Sequence, residues 1–266
     1  MTGTDLQSLK QSYERDGYVG GVEIISEDEA AHHRRAMEDA EARLGAVHYK
    51  SKMHTILRSP LELLTLPGVL DIVEQLIGPD ILLYNSTYII KEPGTASHVS
   101  WHQDLTYWGL SHDDQVTMWL ALSPATAESG CMRMVPGSHV HGRRDHEVTE
   151  DESNVLFQGQ TVPGVAEEEA VMCPLRPGQA SFHHGWTLHA SMPNHSTDRR
   201  IGLNVQYVAA HVHQTKGDHD SALLVRGRNA YRHFDEDVPA ESDLDPAALA
   251  RHAALDARYR EIAGQA

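Results

Sequence analysis

The chain has 266 residues, of which 40% are hydrophobic, enough for one soluble β-sandwich or barrel. Its formal net charge of −16 argues against nucleic acid and anionic membrane surfaces as partners, because both reward an excess of Lys and Arg. Two cysteines make no disulfide framework and the first residues contain no apolar leader segment, so we expect a cytoplasmic protein.

Two helices are predicted in the first part of the chain. Residues Glu27–Leu44 lack Pro and Gly, and Ser26 precedes them as a suitable N-cap. Residues Pro67–Ile77 begin with Pro, carry an apolar stripe and are followed by a Gly-Pro pair that ends a helix.

Short β-prone runs follow, separated by turns that contain Pro and Gly. The predicted strands are Ile81–Lys91, Val116–Leu122, Met132–Val135, Ala170–Cys173, Gln179–His184 and Ile201–Val208. An acidic loop, Glu236–Asp245, and a last helix, Pro246–Ile262, complete the chain. This order indicates a mainly β fold, an antiparallel sandwich or barrel braced by flanking helices.

The stretch SWHQDLTYWGL places His102 and Asp104 two positions apart, so in an extended strand both side chains lie on one face. Such a pair can bind a metal, share a proton or meet solvent. His189 is a further candidate ligand, although residue type alone favours a turn-capping or core histidine. Two histidines and one carboxylate on a metal leave open positions, as in non-haem Fe(II) oxygenases. A structural zinc site would instead use four ligands, usually with thiolates.

Arg200 begins a strand whose alternate residues are polar, with Gly202, Asn204 and Gln206 on the same face. This face either meets water or lines a barrel cavity while the apolar face lies under the helices. Inside a cavity the guanidinium needs an anion, and a dicarboxylate co-substrate would supply one in bidentate fashion. The neighbouring Arg199 points the other way and is expected at the surface.

Three stretches in this order resemble the phytanoyl-CoA dioxygenase family. They are the HxD pair, the run VTMWLALSPATAESGCMRMVPGSH at Val116–His139 and the run LHASMPNHSTDRR at Leu188–Arg200. Members of this family are Fe(II)- and 2-oxoglutarate-dependent oxygenases with a double-stranded β-helix core, also called a jelly roll and similar to cupins. The resemblance therefore implies Fe(II), 2-oxoglutarate and O2 as cofactors.

The resemblance also implies roles for particular residues. His102, Asp104 and His189 would be the iron ligands and the catalytic centre, and Arg200 would bind the distal carboxylate of 2-oxoglutarate. The further positions implied for co-substrate binding are Ser191, Trp119, Asn85 and Lys52. We expect neither His183 nor His184 to be a ligand, because they alternate in direction and at most one looks inward.

Substrate contacts are predicted on both sides of this core. Tyr107 and Trp108 either wall the active site and exclude water from it or pack in the core. The basic segment Leu223–Phe234 either folds over the pocket mouth, with Arg226 or Arg228 meeting a substrate anion, or is a solvated loop.

We expect hydroxylation of a small molecule such as an amino acid, a phosphonate or a natural-product intermediate, with release of succinate and CO2. Asp104 stands where the halogenating relatives carry a small residue, which favours hydroxylation over halogenation, while desaturation and cyclisation remain open. The alternatives are a jelly-roll protein that binds a ligand or metal without turnover, and a zinc-dependent hydrolase.

The expected organisation is a single domain over residues 1–266, in a protein that is a monomer or homodimer. Its parts would be N-terminal helices at 1–80, a jelly-roll core at 81–210 and a C-terminal lid or helix at 211–266.

Overall fold

The structure of the protein is a computed structural model that describes residues 3–156 and 159–264. Its helices are α1 (Gly3–Asp16), α2 (Glu27–Leu44), α3 (Arg58–Leu64), α4 (Pro67–Ile77), α5 (Leu105–Trp108) and α6 (Pro246–Ala263). Its strands are β1 (Tyr18–Glu23), β2 (Ile81–Lys91), β3 (Val99–His102), β4 (Gln115–Ala121), β5 (Met132–Met134), β6 (Glu147–Val148), β7 (Gln160–Thr161), β8 (Val171–Cys173), β9 (Gln179–His183), β10 (His189–Ser191), β11 (Arg200–Ala209), β12 (Ser221–Arg226) and β13 (Asp235–Glu236).

Most of these strands belong to two sheets. The main sheet has the order β1-β9-β4-β11-β2-β12-β13, and the smaller sheet has the order β3-β10-β5-β8. From β2 to β5, and again from β8 to β11, the chain passes back and forth between the two sheets, with antiparallel pairing inside each. This is the arrangement of a jelly roll and confirms the predicted fold class of a mainly β protein with flanking helices.

Strand β11 separates the core from the interior cavity. Its odd-numbered side chains Ile201, Leu203, Val205 and Tyr207 are fully buried in the main apolar cluster, together with residues of α1 to α4. Burying each such side chain contributes about 1.5–3 kcal/mol. The even-numbered, polar face lines the cavity, so the second of the two alternatives for this strand holds.

The main sheet extends beyond the core expected at residues 81–210. Strand β1 pairs with β9, and β12 pairs with β2, so segments on both sides of that range complete the sheet. The C-terminal helix is anchored as well, since Asp256 accepts a hydrogen bond of 2.8 Å from the Ser51 amide. No helix in the described ranges combines the length and the apolar character needed to cross a bilayer.

Candidate metal and co-substrate site

Two neighbouring strands of the smaller sheet bring the three predicted metal ligands together. His102 on β3 lies opposite His189 on β10, and their ring centroids are 4.0 Å apart. Asp104 follows β3 by two residues. Ligand atoms of the three side chains all lie within 4.8 Å of one another, and all three residues are buried.

Both imidazoles are held in the orientation that a metal requires. The Nδ1 atom of His102 lies 2.9 Å from the carbonyl oxygen of Ser100, and that of His189 lies 3.0 Å from the carbonyl oxygen of Thr187. Each Nδ1–H donates to its carbonyl, which leaves the lone pair of Nε2 free for a metal. The two Nε2 atoms lie 3.4 and 3.6 Å from Oδ1 of Asp104.

The two oxygens of Asp104 have different surroundings. Oδ1 faces the imidazoles, whereas Oδ2 accepts a hydrogen bond from Thr117 Oγ1 at 2.9 Å and lies 3.3 Å from Nε2 of His183. Burial alone would raise the pKa of Asp104, but His189 and the other surrounding imidazoles lower it well below its usual range. Burial, followed by the neighbouring His102, lowers the pKa of His189 well below its usual range.

An ionised carboxylate and neutral imidazoles are the protonation states in which these groups bind a divalent metal. The donor set of two nitrogens and one oxygen fits Fe(II) in the open geometry of non-haem oxygenases.

His183 is the inward-facing member of the His183–His184 pair. The three-residue ligand group found among the described residues does not include it. Its contact with Asp104 shows what the sequence did not reveal, a second hydrogen-bond donor behind the carboxylate. His184 points the other way, toward the rings of Tyr13 and His139.

We expect His183→Phe to weaken metal binding about tenfold, the lower end of the range for removing a hydrogen-bond partner of a ligand. The phenyl ring keeps the bulk of the imidazole but gives Oδ2 of Asp104 no donor. Mn(II) or Fe(II) titration measures the effect. His184→Phe on the opposite face is the matched control, and equal metal affinities of the two variants would contradict this role of His183.

The other end of the cavity holds an arginine that has no carboxylate partner among residues 3–156 and 159–264. The Arg200 side chain is 1% exposed, its guanidinium lies 5.0 Å from the ring centre of Trp119, and one amino group donates to the Gly130 carbonyl at 2.8 Å. Burial lowers the pKa of Arg200 to about 10, so it stays charged at neutral pH. A Cβ atom at Gly202 would lie 1.9 Å from the Trp119 ring, so only glycine leaves room for this ring beside Arg200.

One cavity of about 270 Å³ joins the two ends. Most of the residues predicted for the site line it, namely His102, Asp104, His189, Arg200, Ser191, Trp119, Asn85, Tyr107 and Trp108. Tyr107 and Trp108 line the cavity and also pack in a buried apolar cluster, so both alternatives for them hold.

Two residues predicted for the site, Lys52 and Arg226, do not line the cavity, and their predicted roles are wrong in this respect. The ammonium of Lys52 donates to the carbonyl oxygens of Tyr84 and Ser221 and lies 3.1 Å from Asp237, in a buried network that does not line the cavity. The family resemblance suggested Lys52, but the Asp237 carboxylate, far along the chain, binds this lysine outside the cavity.

Arg226 is also outside the cavity. It lies at the end of β12, where its guanidinium is 2.8 Å from both Asp71 and Glu74 of α4. Segment Leu223–Phe234 therefore begins as a strand of the main sheet instead of folding over the pocket mouth with Arg226.

The contribution of α6 to the cavity wall was not predicted from the sequence. Tyr259, Arg260 and Ala263 line the cavity, and the Tyr259 ring packs 6.0 Å from that of Tyr84. No local pattern marks these residues, because their role arises from docking of the helix. Thr87 on β2 also lines the cavity and was detectable, since it shares a strand face with Asn85.

Comparison with known proteins gives the same family as the sequence motifs. The phytanoyl-CoA dioxygenase (PhyH) family matches residues 13–202. A probable alpha-ketoglutarate-dependent hypophosphite dioxygenase of Stutzerimonas stutzeri is 32% identical over 168 residues, which cover 60% of this chain and 58% of that protein. A 1-deoxypentalenic acid 11-beta-hydroxylase of Streptomyces arenae is 29% identical over 163 residues, which cover 56% of each chain. The chain thus spans somewhat more than half the length of these curated relatives.

A solved structure extends the similarity over nearly the whole chain. The non-heme monooxygenase ThoJ, in its apo form, superimposes with a TM-score of 0.85 at 30% identity, covering 97% of this chain and 98% of that one. The motifs, the jelly-roll fold and these matches lead to one conclusion: the chain belongs to the phytanoyl-CoA dioxygenase family.

Proposed function

We propose that this protein is a non-haem Fe(II)- and 2-oxoglutarate-dependent oxygenase that hydroxylates a small molecule and releases succinate and CO2. The observation that carries the proposal is one buried cavity with two histidines and a carboxylate at one end and, at the other, an arginine that meets no carboxylate in the described part of the chain. A zinc hydrolase does not need the arginine, whereas an oxygenase with a dicarboxylate co-substrate does. One curated relative is named as an alpha-ketoglutarate-dependent dioxygenase, and alpha-ketoglutarate is 2-oxoglutarate.

In this proposal His102, Asp104 and His189 hold Fe(II). Bound iron supplies the means to activate O2 with electrons from 2-oxoglutarate. Arg200 binds the distal carboxylate, with Ser191 beside it in the cavity wall. Tyr107 and Trp108, with other apolar wall residues, exclude water and shape the space left for substrate.

The cavity also favours a particular kind of substrate. Its wall is apolar around Tyr107, Trp108, Leu156 and Tyr259, which suits a small organic molecule. The Tyr107 hydroxyl is buried and has no hydrogen-bond partner in the described part of the chain, so a substrate with a polar group gains from meeting it. The curated relatives are named for hypophosphite and for 1-deoxypentalenic acid, both small molecules.

The setting of the enzyme is part of the proposal. Cys131 and Cys173 are both free and buried, in keeping with a reducing cytoplasm. We propose a single-domain protein, monomeric or homodimeric, that acts without a nucleic acid or membrane partner.

Anaerobic addition of Fe(II) and 2-oxoglutarate is expected to give a weak visible charge-transfer band, and admission of O2 with a library of small acids is expected to yield succinate. Zn(II) is the control, because a d¹⁰ ion without redox chemistry gives no such band. Absence of the band and of succinate, combined with hydrolytic activity of the Zn(II) form, would contradict the proposal.

A further inference from the structure

A second buried cation lies beside Arg200. Lys91, the last residue of β2, is directly opposite Arg200 in the antiparallel pairing of β2 with β11. Opposite residues point to the same side of a sheet, so both cationic side chains enter the interior at the same level. Lys91 is 2% exposed and Arg200 is 1% exposed.

Neither cation has an anionic partner within residues 3–156 and 159–264. The Lys91 ammonium reaches the smaller sheet, where it lies 2.8 Å from the Ser191 hydroxyl and 3.1 Å from the Ser191 carbonyl, and it also donates to the Met192 carbonyl. Arg200 donates to a carbonyl alone. Two adjacent buried cations are costly unless an anion joins them, so this end of the cavity is built for a negatively charged group.

The ammonium also fixes the direction of the Ser191 hydroxyl. A protonated lysine can only donate, so Ser191 Oγ is the acceptor in their hydrogen bond. The hydroxyl hydrogen is then left to donate elsewhere, and Ser191 lines the cavity together with Arg200. A carboxylate between Ser191 and Arg200 would accept that hydrogen.

We propose that Lys91 is a positioning residue for 2-oxoglutarate: it orients the Ser191 hydroxyl toward the distal carboxylate and adds a second positive charge beside Arg200. This inference rests on the function proposed above. Lys91 need not touch the co-substrate, because it acts through Ser191 and through its charge.

The buried position of Lys91 also affects its protonation. Burial, and next the charge of Arg200, lowers the pKa of Lys91 to about 6, so in the free site at pH 7 the lysine is mostly neutral. The protonated form, which can only donate to Ser191, is the form that a bound anion favours. Nearby His48 has its pKa lowered to about 4 by burial, burial raises the pKa of the Cys131 thiol, and Glu92 is paired with Arg199.

An anion that binds beside Lys91 stabilises its charged form and raises its pKa. Binding of 2-oxoglutarate at pH 7 is therefore expected to take up a proton, and the affinity is expected to fall as pH rises above about 6. Below that pH, Lys91 is charged both in the free protein and in the complex, so it contributes no pH dependence to the 2-oxoglutarate affinity.

The test compares two 2-oxo acids on anaerobic Fe(II)-loaded protein by calorimetry. 2-Oxoglutarate carries the distal carboxylate, and 2-oxobutyrate lacks it. Lys91→Met is expected to weaken 2-oxoglutarate binding by about 10- to 100-fold, the range for losing a hydrogen bond to a charged group, and to leave 2-oxobutyrate binding nearly unchanged. Lys216→Met is the matched control. Lys216 is a part-buried lysine that, like Lys91, donates to backbone carbonyls, in this case those of Thr106 and Tyr107.

The outcomes separate this inference from the proposed function. Equally weakened binding of both acids would overturn the inference and give Lys91 a structural role in joining the two sheets. Unchanged 2-oxoglutarate affinity would overturn the inference as well. Both results leave the proposed function standing. A wild-type protein that binds no 2-oxoglutarate overturns both. If Lys91→Met does not fold, the wild type decides through calorimetry in two buffers of different protonation enthalpy: proton uptake at pH 7 supports the inference, and its absence overturns it.

Discussion

Asp104→Ala is expected to lower Fe(II) affinity on the order of 100-fold or more, and to remove succinate formation with it. Asp104 is the one anion in the ligand group, and its Oδ1 lies within 3.6 Å of both imidazole Nε2 atoms. Without it, two neutral imidazoles remain, and the donors Thr117 and His183 lose their acceptor.

Bound iron and succinate are the quantities to measure. Asp114→Ala is the control, because Asp114 is an exposed aspartate whose partner is the surface residue His211. If Asp104→Ala binds iron and forms succinate as the wild type does, Asp104 is not a ligand, and the interpretation of the HxD pair is wrong.

Elements with strong local signals could be predicted from the sequence. Helices α2 and α4 have the predicted bounds, and Ser26 forms a capping box with Glu29, since each accepts a hydrogen bond from the other's amide. Strand β2 also has the predicted bounds. In each case the signals lie within the element or directly beside it in the sequence.

Elements that depend on distant partners were missed. Strand β1 contains Gly20 and Gly21, which weaken a strand, and it forms because β9 supplies its hydrogen bonds across a register shift. Helix α3 includes Pro60 in its first turn, which reads as a turn signal in isolation. Helix α1 buries Leu9 and Tyr13. Without knowledge of the sheet that they pack against, these two residues do not predict a helix.

The residues of the candidate site also fall into two groups, those that a local pattern predicts and those that depend on distant partners. His102 and Asp104 do lie close together, but Asp104 is beyond the end of β3 in a helical conformation before α5, so strand alternation is not the reason. Alternation along β11 did place Arg200 in the cavity with Asn204 and Gln206. No local pattern could show that Lys52 is bound by Asp237, which lies 185 residues later in the chain. Lys91 escaped notice for the same reason, because its meaning comes from its pairing with Arg200.

Arg200→Ala is expected to weaken 2-oxoglutarate binding by about 2–5 kcal/mol, the range for truncating one partner of a buried charge pair. The guanidinium is the group best placed for the distal carboxylate, since it is buried, stacked on Trp119 and free of any carboxylate partner in the described residues. Iron binding is expected to survive, because the ligands lie at the other end of the cavity.

Arg199→Ala is the matched control for this variant. Arg199 is the preceding residue but points outward, where it pairs with Glu41 and Glu92, so its loss should leave 2-oxoglutarate affinity unchanged. The pKa of Arg200, at about 10, also separates the two cations of the site. Arg200 keeps its charge across the neutral range, so it does not account for a loss of affinity between pH 6 and 8. Disappearance of that loss in Lys91→Met but not in Arg199→Ala would assign it to Lys91. An Arg200→Ala protein that binds 2-oxoglutarate as tightly as the wild type would remove Arg200 from the co-substrate site, and the proposed place of the distal carboxylate with it.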